Sequence, residues 1–174
     1  MPNWCEGVLK IRGPKENHVK FIKEGLLGFR CDDVTRNTVS VPIEDWYRDD
    51  EEIISVYRKP SMWIWIQDTR RAFIDFDNSD EVTSLFYENK DNKSDYISVL
   101  PIKQAWGIDY EELSALAKKY ELDMKIFAVE QGMGFWCDAD IDKTGNIKLN
   151  SSTNTFGKNY HDFLWECPYP ILGG

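Results

Sequence analysis

Histidine is nearly missing from this chain: His18 and His161 are the only two in 174 residues. A zinc site needs four close Cys or His ligands, usually in paired spacing. The four cysteines, Cys5, Cys31, Cys137 and Cys167, are scattered and form no C-x-x-C pair. Structural zinc is therefore not expected. A disulfide framework is not expected either, since it belongs to shorter, cysteine-dense secreted chains. G-x-S-x-G, the P-loop and G-x-G-x-x-G are all missing, which removes the commonest nucleophile and phosphate-binding signatures. His161 is followed by Asp162, but adjacent side chains rarely face one another usefully. No catalytic residue and no cofactor is expected.

Long apolar runs are missing too, so no segment should span a bilayer. The opening, Met1 to Glu6, has neither the basic start nor the apolar stretch of a secretory signal. These two features lead to the expectation of a soluble protein in the cytoplasm of a host cell. Basic residues are in deficit: 21 Lys and Arg face 30 Asp and Glu, for a formal charge of -9. A polyanion gains affinity from basic residues, so direct nucleic-acid binding is not expected. A basic protein partner, drawn in by charge, is.

What is present is ample material for a core. Hydrophobic residues make up 42% of the chain, and seven Trp, eight Tyr and nine Phe supply large buried areas. A chain of this length needs no staples, and one domain over residues 1–174 is expected. Val8 to Arg12 alternates as a strand, with Leu9 and Ile11 on its apolar face. Gly13-Pro14 stops it and starts a helix with Val19, Ile22 and Leu26 on one side and Gly25 and Gly28 at its end. Glu44 to Glu52 carries six acids and one base and reads as a solvated helix or loop. Strands follow at 53–58, 62–66 and 71–76. Met62 to Ile66 is apolar throughout, so it should be covered on both faces. A further strand runs from Tyr96 to Leu100. Asp109 then caps a helix with Glu112 three residues on, the capping-box spacing, and Leu113, Leu116, Ala117 and Tyr120 form its apolar stripe. Met124 to Glu130 is a strand, Gly132-Met133-Gly134 a tight break, and 135–141 with 147–149 a hairpin.

The order strand, helix, strands, helix, strand, hairpin fits an α+β fold. The expectation is a ferredoxin-like split β-α-β sandwich, an antiparallel sheet with two helices on one face. It carries an insertion at about 30–90, a hairpin plus tail at 134–174, and additional strands at an edge. A strand edge near 53–58 or 147–149 offers a route to a homodimer.

Two segments carry a family resemblance. Met1-Pro2-Asn3-Trp4-Cys5 followed by Leu9-x-Ile11-x-Gly13 resembles the start of the YubB ferredoxin-like family. Gln104-Ala105-Trp106 and Glu130-Gln131-Gly132-Met133-Gly134-Phe135 resemble its later motifs. The resemblance implies the same fold and an origin in phages, plasmids or other mobile elements. It implies no catalytic residue. Trp4 and Trp106 read as core, and Gly132 and Gly134 as backbone necessities.

Three constellations bear on function. Asp138-x-Asp140-x-Asp142 begins like a calcium loop, but the sixth and twelfth positions hold Lys143 and Leu149 where Gly and Glu are required, so a strand with one wet face is expected. Asp75 or Asp77 with Glu88-x-Lys90 spells a metal-dependent nuclease. Trp63 and Trp65 share one strand face, as base-stacking sheets require, yet no basic-Gly-aromatic signature surrounds them and they read as core. A phage-type protein with an acidic surface and no chemistry is expected to bind and block. The expectation is an inhibitor of a host defence nuclease, such as an anti-CRISPR acting on a guide-RNA-loaded type II enzyme. Asp49, Asp50, Glu51, Glu52, Asp138, Asp140 and Asp142 would be its contact acids. The alternative is a nucleic-acid binder or metal-dependent nuclease.

Overall fold

Alternation decides the centre of the molecule. Along β1 (Trp4–Pro14), Cys5, Leu9 and Ile11 are buried on one face while Lys10 and Arg12 point the other way. Pro14 ends the strand and leads into α1 (Lys15–Lys20), which continues as a π-helical turn over Phe21–Gly25. Leu26 does not extend this helix, as its spacing suggested; it opens β2 (Leu26–Cys31). β3 (Thr38–Val41) follows, then a 3-10 turn at Ile43–Asp45 and β4 (Tyr47–Asp49). The acidic stretch is thus partly strand, and Trp46 within it is fully buried, its indole N–H donating to the Val41 carbonyl at 3.1 Å. β5 (Ile54–Tyr57), β6 (Met62–Ile66), β7 (Ala72–Ile74) and β8 (Glu81–Ser84) precede the long β9 (Asp95–Ala105). α2 (Tyr110–Tyr120), β10 (Asp123–Glu130), β11 (Phe135–Ile141) and β12 (Ile147–Leu149) complete the order. The computed structural model describes residues 3–50, 54–57, 59, 61–75, 81–84 and 95–150.

The strands form two antiparallel sheets. Nine run in the order β12-β11-β10-β1-β9-β7-β6-β2-β3, and three in the order β4-β5-β8. This corrects the expected ferredoxin-like split β-α-β sandwich. That fold sets the strand after the first helix beside the strand before the second. Here β6 and β7 stand between β2 and β9, and strands dominate the chain. The reason lies in residues 62–74. Met62, Ile64, Ile66, Ala72 and Ile74 alternate as buried residues, so their strands join the middle of the sheet and not its edge. Likewise β5 is the centre of the small sheet, so residues 54–57 are not an edge; β12 is.

One core joins these elements. Leu9, Ile11, Phe21, Trp46, Ile54, Ile64, Ile102, Leu116 and Ile126 belong to a single buried cluster. Both helices and the small sheet therefore lie on the same side of the nine-stranded sheet. α2 starts where expected: the Asp109 carboxylate accepts from the Glu112 N–H at 3.2 Å. The hairpin of β11 and β12 forms with the predicted bounds, and Cys137, Ala139 and Ile141 are buried along it. His18 is buried and satisfied. Its Nε2 lies 3.2 Å from the Tyr96 carbonyl, which can only accept, so this nitrogen carries the proton. Nδ1 is then free to accept from the Ser98 hydroxyl at 2.8 Å. No helix among the described residues is long and apolar enough to cross a membrane.

Candidate functional site

The face of the large sheet turned away from the helices gathers rings and cations. Register places Lys103 opposite Phe73, Phe73 opposite Trp65, and Trp63 opposite Phe29 on neighbouring strands. Trp4 reaches the same patch from β1, its ring centroid 6.0 Å from that of Phe73. Trp63 and Phe29 meet the other sides of Phe73 at 5.9 and 6.2 Å, all edge-on. Edge-to-face packing of this kind fixes the ring planes. The Lys103 ammonium lies 5.5 Å from the ring centroids of both Trp4 and Trp63 and pairs with Asp75 at 2.6 Å.

A second layer comes from the turn after β6. Arg71 lies 5.7 Å from the rings of both Trp4 and Trp106, and Arg70 lies 5.8 Å from Trp106. The turn is held firmly. The Arg70 N–H donates to Glu112 Oε1 at 2.8 Å, and Gln104 Nε2 donates to Glu112 Oε2 at 2.7 Å and to the Arg70 carbonyl at 3.3 Å. Gln104 Oε1 in turn accepts from the Asp109 N–H at 2.8 Å. So only half of the capping box forms. Gln104 takes the donor that Glu112 would have satisfied, and Glu112 is released to tie down the arginine turn. Trp65 helps, its indole N–H donating to the Thr69 carbonyl at 3.2 Å.

These side chains are open to solvent in a way the sequence did not suggest. Trp63 is 45% exposed and Trp106 55% exposed, so neither is core; Trp4 and Trp65 are half-buried. Met62 to Ile66 is covered on one face only. Trp106 also has φ of 65° and Arg71 φ of 52°, in the left-handed region that a bulky side chain avoids. Such backbone strain costs on the order of 1–3 kcal/mol per residue and concentrates at sites of function. Two strained residues that stack on one another mark this patch.

The predicted contact acids fall in two places, Asp49 and Asp50 at the end of β4, and Asp138, Asp140 and Asp142 along β11 and the turn after it. Asp49 pairs with Lys15 at 2.8 Å, and Lys15 also donates to the Asp50 carbonyl at 3.3 Å. Glu51 and Glu52 lie outside the described residues. Asp138 accepts from Asn150 at 2.9 Å. Asp140 pairs with Lys125 at 3.0 Å; partial burial works to raise its pKa, and the hydrogen bonds from Lys125 and Asn150 outweigh it and lower it. Asp142 sits in the hairpin turn, where hydrogen bonds from Thr144 and Asn146 hold its carboxyl well below the usual range. The carboxylates of Asp49, Asp138, Asp140 and Asp142 thus each have a local structural task. Asp77, Glu88, Lys90, His161, Asp162 and Cys167 lie outside the described residues. Among the described residues no cluster of three or more His, Cys, Asp or Glu is placed to hold a metal ion. The Glu130 carboxylate anchors the tight break, accepting from the N–H groups of Gly132 and Met133.

Behind the patch, Cys5 and Cys137 lie with sulfurs 4.0 Å apart. Their shared hydrogen bond raises the Cys5 pKa and lowers that of Cys137. The two residues sit on β1 and β11, with β10 between them. Two strand spacings separate their backbones by roughly 9–10 Å, more than the ~7 Å a disulfide can bridge. Both thiols are expected to stay reduced in oxidised glutathione. Peptide mapping that found a Cys5–Cys137 disulfide would contradict this geometry.

Compared with protein-family models, with curated proteins and with solved structures, the chain finds no match, so the aromatic patch is read from its own geometry and the motif resemblance rests on its residues alone.

Proposed function

We propose that the chain binds single-stranded nucleic acid on the exposed face of its nine-stranded sheet. One observation carries this: Trp63 and Trp106 stand open to solvent with Lys103, Arg70 and Arg71 against the same rings. Bases offer flat π-faces and phosphates need cations, and single-strand binders combine stacking platforms with basic grooves. Unpaired bases can splay onto a sheet, whereas paired bases keep their faces stacked. The overall charge of -9 opposes a polyanion at long range, so the interaction should be short-ranged and weaken with salt. In the mobile-element setting that the motif resemblance implies, such a protein would act in the cytoplasm of the host cell.

Tryptophan fluorescence tests this. Addition of poly-U or poly-dT strands is expected to quench emission at low salt, with duplexes of the same length much weaker. Absence of quenching by either strand at low salt would defeat the proposal.

A second proposal keeps the acidic inhibitor of a host defence nuclease. Asp49 and Asp50 are exposed at β4, an outer strand of the small sheet, where a basic partner could reach them. Binding to a guide-loaded type II nuclease, abolished by Asp49→Lys and unaffected by changes at Trp63, would favour it over the first.

A further inference from the structure

The aromatic patch occupies one end of the exposed face, and a cavity lined by charges of both signs occupies the other. A cavity of about 440 Å³ opens there, its charged lining being Lys10, Arg12 and Lys125 with Asp123, Asp140 and Asp142. Lys10 lies directly opposite Lys125 across β1 and β10. Like charges in directly opposed strand positions destabilise a sheet, and the arrangement is unexpected in a chain with surplus acids. Lys125 has Asp140 at 3.0 Å and Arg12 has Asp123 at 2.6 Å. Among the described residues, no ion pair holds Lys10, which is exposed.

The two ends are joined by one strand. Trp4, Glu6, Val8, Lys10 and Arg12 alternate onto the same face of β1. Six residues separate Trp4 from Lys10, a distance of about 20 Å at ~3.3 Å per residue. At the ~3.4 Å rise of a stacked strand this spans about six nucleotides, and fewer as the strand is drawn out. Between the ends the face carries Val8, Pro101, Phe127 and Val129, with Glu6 and Asp138 beside them. Pro101 and Phe127, half-buried, are the apolar groups a base could rest on there.

We infer that a single strand runs along β1, with its bases stacked at the Trp4 end and a phosphate held by Lys10 and Lys125 at the other. The inference rests on the function proposed above. It gives Lys10 an anion beside Lys125, which already has Asp140 at 3.0 Å. It requires the phosphate to sit beside Asp123, Asp140 and Asp142. The Arg12–Asp123 and Lys125–Asp140 pairs are partly exposed, and exposed pairs are weak enough for a phosphate to share their cations.

Oligonucleotide length is the test. Labelled oligo-U and oligo-dT of two to ten nucleotides would be titrated by fluorescence anisotropy with wild type, Lys10→Ala and Lys10→Glu. Wild-type affinity should climb with length to about six nucleotides and then level. Lys10→Ala should weaken the longer strands ~5-fold or more while leaving two- and three-nucleotide strands unchanged. The slope of log affinity against log salt should fall by about 0.7 for one lost phosphate contact on a single strand. Lys10→Glu should do the same more strongly, and Lys10 is exposed, so folding is not at risk. Length curves that superimpose for wild type and Lys10→Glu would overturn the path along β1 even though short strands still quench tryptophan. Failure of every strand to bind would instead remove the proposed function itself.

Discussion

Gly7→Ala is expected to destabilise the protein by ~3 kcal/mol or more, lowering the thermal midpoint by about 6 °C or more. Gly7 lies on β1, paired with Ala128 on β10 and Ile102 on β9. An added Cβ would stand 2.0 Å from the Phe127 carbonyl oxygen and 2.5 Å from the Ala128 Cα. Those are backbone atoms in the middle of the sheet. They can yield only if β1 and β10 separate, and that separation breaks ladder hydrogen bonds and opens the core on both sides. Gly13 on the same strand is the control. Its added Cβ would meet Leu122 Cδ2 at 2.7 Å, the tip of a side chain that can rotate. Gly13→Ala should therefore cost roughly 1–2 kcal/mol. Thermal melts followed by circular dichroism compare the two, and equal losses would show that β1 and β10 are not packed this closely.

Trp63→Ala and Trp106→Ala are each expected to weaken single-strand binding by about 5- to 150-fold, with little change in stability. Loss of a base–aromatic stack is worth ~1–3 kcal/mol, and 1.4 kcal/mol is a factor of ten. Both indoles are about half exposed, so truncation leaves no cavity in the core. The loss should be largely insensitive to salt, since a ring carries no charge. Arg71→Ala should behave differently, because a lost cation also flattens the salt dependence. Anisotropy titrations at two salt concentrations separate these outcomes. Unchanged affinity in both tryptophan variants would remove the stacking platform from consideration.

How much of this was legible in the sequence varied with how local the cause was. α2 could be read from Asp109, Glu112 and an apolar stripe within eleven residues, and its cap formed. The β11–β12 hairpin could be read because Cys137, Ala139 and Ile141 alternate with acids, and the acids took the wet face. The position of β6 and β7 in the middle of the sheet could not be read. Nothing in residues 62–74 tells which strands flank the β6–β7 pair, since those are β2 and β9, far away in sequence. Met62 to Ile66 also hid the exposed ring. With all five residues apolar, the pattern gives no sign of which face is wet, and only Phe73 and Lys103 on neighbouring strands decide it. The arginine turn was missed for a related reason. It is positioned by Glu112 and Gln104, from more than thirty residues away. Net charge said nothing of how the charges are placed. A total of -9 is an average over the surface, and it conceals three cations gathered on one patch.

Trp106 holds its backbone where glycine would sit at ease. Trp106→Gly should therefore make the protein harder to melt while it loses grip on its ligand, and selection for a sturdier fold alone would tend to erase this indole. A tryptophan that persists there does so against the interest of folding.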